Sequence, residues 1–369
     1  MRESLALASR LLSSWLKPAQ PSYLIYFVTA RCNARCEMCF YWRELDAVRP
    51  ETELTPEETD KISRTLPPLI QLTLSGGEPF LRADLFELIK PLLEHSRPAL
   101  LSIPTNGILT EQIIKVTGQI CSAFPRLRLN LELSLDGIGE RHDRIRGHVG
   151  AFADLLRSWK ELKILRLKFP NLRLNTLSVL SALNSDRIFE LLEYIRTELK
   201  PNRSEVMFVR GEPRTPGAAQ VSLDRFKEVH EWLKKNARPK TFLDRLREQL
   251  AMAKRELIIE TVRGNKMILP CRAGGKLIVM EPDGWVRPCE MLSVKYPVPP
   301  PSLGAKDFRL GSLRESGYDL MKILGSAQAQ KVNNFIRASE CRCSYECAAL
   351  ANLVFSPGQM PRIFWKAFR

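Results

Sequence analysis

From residue 22 to about 210, short apolar runs alternate with longer segments whose apolar positions recur at helical spacing. The runs YLIYFVT (23–29), IQLTLS (70–75), ALLSIPT (99–105), RLNLELS (128–134), LRLNTLSVL (172–180) and SEVMFVR (204–210) read as strands. Between them, residues 55–66, 82–95, 110–124, 151–165 and 186–199 read as amphipathic helices. Strand–helix repetition of this kind predicts parallel strands joined by helical crossovers. Six strands suffice for an open or partial barrel but not for a closed eight-stranded one. Two further helices are expected near 222–236 and 241–260, and the pattern then changes. KLIVMEPDGWVRPC (276–289) reads as a hairpin turning at Pro282-Asp283-Gly284. A proline-rich connector, YPVPPPSLG, leads from it to short helices. The expected organisation is an amphipathic helix over 1–21, an α/β partial barrel over 22–215, a helical linker over 216–265 and a small domain over 266–369.

Composition changes this picture little. The chain has 369 residues, 44% hydrophobic and 26% charged, as a two-domain globular protein would. No apolar run is long enough for a membrane span, and the N-terminus lacks a secretory cleavage pattern. A cytoplasmic location is expected, with a peripheral place at a membrane surface as the alternative. The net charge of +15 is spread over the chain, with dense stretches at 139–148 and 165–173. Scattered charge of this kind is ordinarily a solvated surface. No run of basic residues interleaved with aromatics marks a nucleic-acid partner.

The candidate chemistry begins at ARCNARCEMCF (30–40), where Cys32, Cys36 and Cys39 stand C-x3-C-x2-C directly after the first expected strand. Ligands of parallel α/β folds sit at the carboxyl ends of strands. Four thiolates complete a zinc site or an ordinary iron–sulfur cluster. Three on a four-iron cluster leave one iron open to a ligand, and that is the reading preferred over an incomplete zinc site or core thiols. LTLSGGEPFL (72–81) closes the second strand, and Gly76 and Gly77 allow close backbone approach there. Glu78 supplies an acceptor for an amine. Thr105, Asn106, Ser134 and Asp136 end the third and fourth strands, suited to hydroxyls and a carboxylate, and each alone is equally a cap or turn residue.

Over residues 20–215, these four motifs in this order resemble the radical S-adenosylmethionine (radical SAM) enzymes, whose cluster motif usually carries an aromatic residue where this chain has Met38. The resemblance implies a partial (β/α)6 barrel, a [4Fe–4S] cluster on Cys32, Cys36 and Cys39, and S-adenosylmethionine held by Met38, Gly76, Gly77, Glu78, Thr105, Asn106, Ser134, Asp136 and Arg146. For Arg146, a solvated helix-start arginine is the alternative. It also implies reductive cleavage of S-adenosylmethionine to a 5′-deoxyadenosyl radical, fed by an electron donor such as flavodoxin or ferredoxin. The substrate it most often implies is a peptide or protein side chain; a lipid, sugar or other small molecule is the alternative, and a non-catalytic iron–sulfur protein that binds nucleic acid through its basic charge is the distant one.

Five more cysteines, Cys271, Cys289, Cys341, Cys343 and Cys347, lie beyond the barrel. Gly274-Gly275 can curl the chain so that Cys271 meets the strand leading to Cys289. This third is similar to the SPASM and shorter twitch domains, which implies one auxiliary [4Fe–4S] cluster on four of the five thiols. Cys271, Cys289 and Cys347 are taken as the firmer ligands, Cys341 and Cys343 compete for the fourth place, and a structural zinc is the alternative. Cys121 reads as a small buried apolar side chain. His95, His142, His148 and His230 have no ligand spacing and read as capping, surface or substrate-loop residues. Leu5, Ala8, Leu12, Trp15 and Leu16 share one face of the first helix, which either packs under the barrel or lies on a membrane.

Overall fold

The computed structural model describes residues 10–17, 20–45, 49–239, 241–304, 307–338, 341 and 343–368. Leu5 and Ala8 of the expected first helix lie outside the described residues, of which 10–16 are helical. One nine-stranded sheet forms the frame, in the order β6-β5-β4-β3-β2-β1-β7-β8-β9. Its first six strands are β1 (Tyr23–Thr29), β2 (Gln71–Gly76), β3 (Leu100–Thr105), β4 (Arg128–Ser134), β5 (Leu172–Leu180) and β6 (Arg203–Phe208). Each pairs in parallel with the next, so all six carboxyl ends emerge on one rim. β6 and β9 are the two edges and the sheet does not close, as a partial barrel requires.

Alternation along each strand separates an outer from an inner face. Leu72 and Leu74 of β2, and Leu129, Leu131 and Leu133 of β4, are fully buried in the main core. The crossover helices meet them with matched stripes: Leu85, Leu88, Ile89 and Leu92 recur at helical spacing along the helix Leu85–His95. Burying each such side chain contributes about 1.5–3 kcal/mol. A capping box between Thr55 and Glu58 starts the helix Pro56–Thr65. On the inner face, the register places Pro104, Glu132, Asn175 and Arg203 in one row across β3 to β6. Ser134, Leu177 and Glu205 form the row nearer the rim. The lumen is therefore lined largely by polar side chains.

The C-terminal third joins this sheet. β7 (Leu277–Met280) pairs in parallel with β1 on the side away from β2, and β8 (Trp285–Arg287) and β9 (Gly311–Ser312) continue antiparallel. The expected hairpin is present, but it extends the barrel's sheet. The apolar run LIVM is buried on both faces, as a strand flanked by β1 and β8 must be. Cys271 precedes β7 and Cys289 follows β8, so both stand at the end of the hairpin away from its turn. Gly274, in the left-handed region at φ 77°, donates its N–H to the Pro288 carbonyl at 3.2 Å and closes that end.

Candidate active site

The three-thiol loop is fixed from both sides by main-chain hydrogen bonds. Arg35 N–H donates to the Arg146 carbonyl and Glu37 N–H to that of Ile145, each at 2.9 Å. Opposite, Thr215 N–H donates to the Glu37 carbonyl at 2.8 Å and Arg214 N–H to that of Cys39 at 3.1 Å. Gly147 lets the first clamp close, because a Cβ there would sit 2.5 Å from the Arg35 carbonyl oxygen. The glycine pair of β2 performs the same service behind the loop. Gly77 and Glu78 donate to the carbonyls of Thr29 and Arg31 at 2.9 Å, and a Cβ on Gly77 would lie 1.9 Å from the Arg31 oxygen. The glycines are thus required first for approach of β2 to the end of β1.

Glu78 is buried, and its carboxylate accepts from Thr105 Oγ1 and the Asn106 N–H, both at 2.8 Å, and from the Phe80 N–H at 3.3 Å. Burial pushes its carboxyl up to about 7 against these hydrogen bonds. It is therefore a strut between β2 and β3, a role the motif alone does not disclose. Asn106 in turn donates to Asn33 Oδ1 at 2.7 Å and holds the thiol loop from a third direction. Thr105 and Asn106 thus make protein contacts at the rim where ligand contacts are expected.

Arg146 is buried at the end of the helix Glu140–Arg146, which excludes the solvated alternative. Its Nη2 lies 2.5 Å from Asp136 and its Nη1 3.6 Å from Cys36 Sγ. Burial disfavours its charge, but Asp136 and the Cys36 and Cys32 thiols together hold its pKa above the ordinary value. Asp136 also accepts from the Val179 N–H at 2.6 Å. Met38 is buried with Ile145, Val209 and Ala218 in a small apolar cluster that Cys36 borders. Ser134 faces the lumen at the last position of β4.

Burial pushes Cys32 up to about 12 and Cys39 up to about 11, so without a partner both are neutral thiols. A cationic centre is what turns such groups into ligating thiolates. Three thiols within electrostatic reach of one another, on a loop clamped from three sides, fit an iron–sulfur cluster as a donor set. Deeper in the lumen, burial pushes the Glu132 carboxyl up. For Glu205 burial acts the same way, but Lys254 at 2.8 Å, with Arg203 and Arg255, outweighs it and holds the group down to about 2.

In the C-terminal third, Cys271, Cys289, Cys341 and Cys343 each interact electrostatically with the other three. Burial pushes Cys271 up to about 12 and Cys341 up to about 11. Cys347 stands differently. Burial pushes it up to about 12, and the charges it feels most are Glu290, Arg210 and Glu346. The expected order takes Cys347 as firm and leaves Cys341 to compete with Cys343. Among the described residues, no three His, Cys, Asp or Glu side chains converge at single-ion distance.

The sequence reading missed Arg210. It follows β6 and donates to Glu346 at 2.8 Å and to Glu290 at 3.1 Å. Its guanidinium stacks on Phe40 at 4.6 Å and on Tyr345 at 4.9 Å. Phe40 adjoins Cys39, Glu290 adjoins Cys289, and Tyr345 lies between Cys343 and Cys347, so one half-buried cation links the surroundings of the two thiol groups. His142 is fully buried, which removes the surface place from its expected roles, and its Nδ1 accepts from the Asp136 N–H at 3.2 Å. Burial, reinforced by Arg146, holds it down to about 3 and neutral. His230 is likewise buried, against Arg255. Cys121 is buried, as expected.

A parallel partial barrel with a clamped three-thiol loop at its carboxyl rim defines the class. Residues 26–195 match the Radical SAM superfamily. It is 34% identical over 161 residues to the Fe-coproporphyrin III synthase of Methanosarcina barkeri, covering 42% of this chain and 37% of that protein. The chain thus matches little more than a third of that relative's length. It is 28% identical over 291 residues to the AdoMet-dependent heme synthase of the same organism, covering 74% of this chain and 78% of that protein. The fold resembles Streptococcus suis SuiB bound to S-adenosylmethionine, with a TM-score of 0.61 and 16% identity over 91% of this chain and 73% of that one.

Proposed function

We propose that this protein is a radical SAM enzyme whose target is a peptide or protein side chain. The observation that carries the proposal is the loop 32–39, clamped by residues 145–146, 214–215 and Asn106, with Arg146 bound between Cys36 and Asp136. Cys32, Cys36 and Cys39 hold a [4Fe–4S] cluster, which when bound supplies the electron that cleaves S-adenosylmethionine reductively. Gly76, Gly77, Glu78, Thr105, Asn106, Ser134, Asp136, Arg146 and Met38 surround that cosubstrate. Arg146 offers a buried cation at the loop, and the Met38 cluster offers an apolar wall. The electron comes from a carrier of the flavodoxin or ferredoxin class, and the setting is cytoplasmic.

SuiB, which shares the fold, has also been solved with its precursor peptide SuiA, and the polar lumen suits a hydrogen-bonding substrate end. A second reading, a carboxylated tetrapyrrole, is favoured by the 291-residue alignment with the heme synthase. Fe-coproporphyrin III added to the reconstituted enzyme with S-adenosylmethionine and reductant separates the two. The peptide reading expects an unchanged tetrapyrrole spectrum; S-adenosylmethionine-dependent conversion would replace it with the second.

We assign the auxiliary cluster to Cys271, Cys289, Cys341 and Cys343, with Cys347 outside it. Single Ala substitutions at those four are each expected to cost about four irons per chain, whereas Cys347→Ser retains them. Iron analysis after anaerobic reconstitution is the check. Loss of the cluster in Cys347→Ser, with retention in either Cys341→Ala or Cys343→Ala, would restore the order expected from the sequence.

A further inference from the structure

One face away from the loop 32–39 combines features that the proposed cleavage of S-adenosylmethionine does not use. A cavity of about 210 Å³ opens between the end of helix 10–16 and the C-terminal third. Its lining includes Arg272, Lys276, Arg337 and Asn333, and no acidic residue among those described. Trp15 and Phe355 wall it, with ring centroids 6.2 Å apart. Lys276 fastens the helix to the wall, donating from Nζ to the carbonyls of Ser14 at 2.6 Å, Lys17 at 2.8 Å and Gln20 at 3.1 Å.

Apolar side chains stand out around this basic cavity. Leu12 and Leu16, on the helix that supplies Trp15, are 63% and 74% exposed. Pro357 lines the same cavity, and the amphipathic helix Gln359–Phe368 begins two residues later. That helix buries Ile363 and Ala367 and exposes Trp365 (62%) and Phe368 (69%), interleaved with exposed Arg362 and Lys366. Apolar residues projecting among cations are the signature of an interfacial element. Phe368 packs in part on Phe242, with ring centroids 4.6 Å apart, and a bilayer takes the apolar surface that stays exposed while its anionic headgroups take the cations.

We propose that this face, formed by helix 10–16, the Arg272–Arg337 cavity and the helix Gln359–Phe368, docks the enzyme on an anionic phospholipid bilayer, with a headgroup phosphate at the cavity. The occupant follows from charge: the cavity is acid-free, exposed Lys17 follows helix 10–16, exposed Arg362 and Lys366 stand on the helix Gln359–Phe368, and the whole chain carries +15. No helix among the described residues is long and apolar enough to cross a membrane, so the attachment is peripheral. The inference is independent of the substrate and of the cluster at loop 32–39, whereas Cys271, assigned above to the auxiliary cluster, lies in the cavity wall.

Co-sedimentation of the full chain tests it, with vesicles of phosphatidylcholine alone and of phosphatidylcholine with about one-third phosphatidylglycerol. Binding is expected only to the anionic vesicles and is expected to weaken steeply with salt. Arg337→Glu should weaken it by about fivefold or more, since each basic residue near an anionic surface contributes roughly that factor. Leu12→Glu combined with Leu16→Glu should abolish it while circular dichroism and iron content stay unchanged, because both side chains are exposed. Three results would overturn the proposal: equal binding to neutral vesicles, saturable binding of inorganic phosphate without vesicle binding, or a concentration-dependent dimer that the Leu12 and Leu16 changes dissolve in protein that binds no vesicles.

Discussion

Protein in which Cys32, Cys36 and Cys39 are all replaced by Ala is expected to hold about four irons after anaerobic reconstitution, where the unmodified chain holds about eight. It is expected to form no 5′-deoxyadenosine from S-adenosylmethionine. The selectivity follows from where the two thiol groups stand. The loop 32–39 is clamped by main-chain bonds that do not involve the thiols, so their loss leaves the loop in place. The second group lies at the far end of a hairpin with hydrogen bonds of its own. Loss of all iron in the triple variant would show that the two sites do not load independently, and residual 5′-deoxyadenosine would place the reactive cluster elsewhere.

The second large effect is expected at Arg210. Arg210→Met leaves Glu290 and Glu346, each only 4% accessible at the side chain, without their cation. Breaking a buried ion pair by removing one partner costs about 3–5 kcal/mol, read as a lower denaturant midpoint. The deficit carries a pH signature with a definite sign. Burial already pushes both carboxyls up, with Arg210 opposing it. Removing Arg210 lifts them further above their unfolded value of about 4.5. The folded state then binds more protons than the unfolded one. The variant is accordingly closest to the unmodified protein below the unfolded value and falls away as pH rises through the raised folded pKa. Arg210→Lys, which keeps the charge but loses the fork and the stacking on Phe40 and Tyr345, should recover only part. A deficit that does not vary with pH would assign Arg210 a packing role alone.

Much of the barrel is legible in the chain because period-two and helical patterns are local. The expected strand 172–180 coincides with β5 and the others agree with the observed strands within two residues. The pairing of β7 with β1 is not legible, because a buried parallel strand such as LIVM says nothing about its neighbour. The candidate site divides similarly. Cys32, Cys36, Cys39, Gly76 and Gly77 announce themselves by spacing. The strut role of Glu78 and the pairing of Arg146 with Asp136 depend on which side chains three separate strand ends bring together. Arg210 carried no signal at all: its partners lie 80 and 136 residues away, and an arginine after a strand is common in a chain of net charge +15. Spacing in CRCSYEC likewise does not reveal that Cys347 lies within electrostatic reach of Arg210 and Glu290.

Whether the loop 32–39 holds a cluster that cleaves S-adenosylmethionine reductively is decided by quantifying 5′-deoxyadenosine. Iron-loaded protein incubated without oxygen, with S-adenosylmethionine and dithionite, is predicted to release 5′-deoxyadenosine in proportion to its iron, and the Cys32, Cys36 and Cys39 triple variant to release none. Iron-loaded protein that binds S-adenosylmethionine yet yields no 5′-deoxyadenosine under strong reductant would contradict the account.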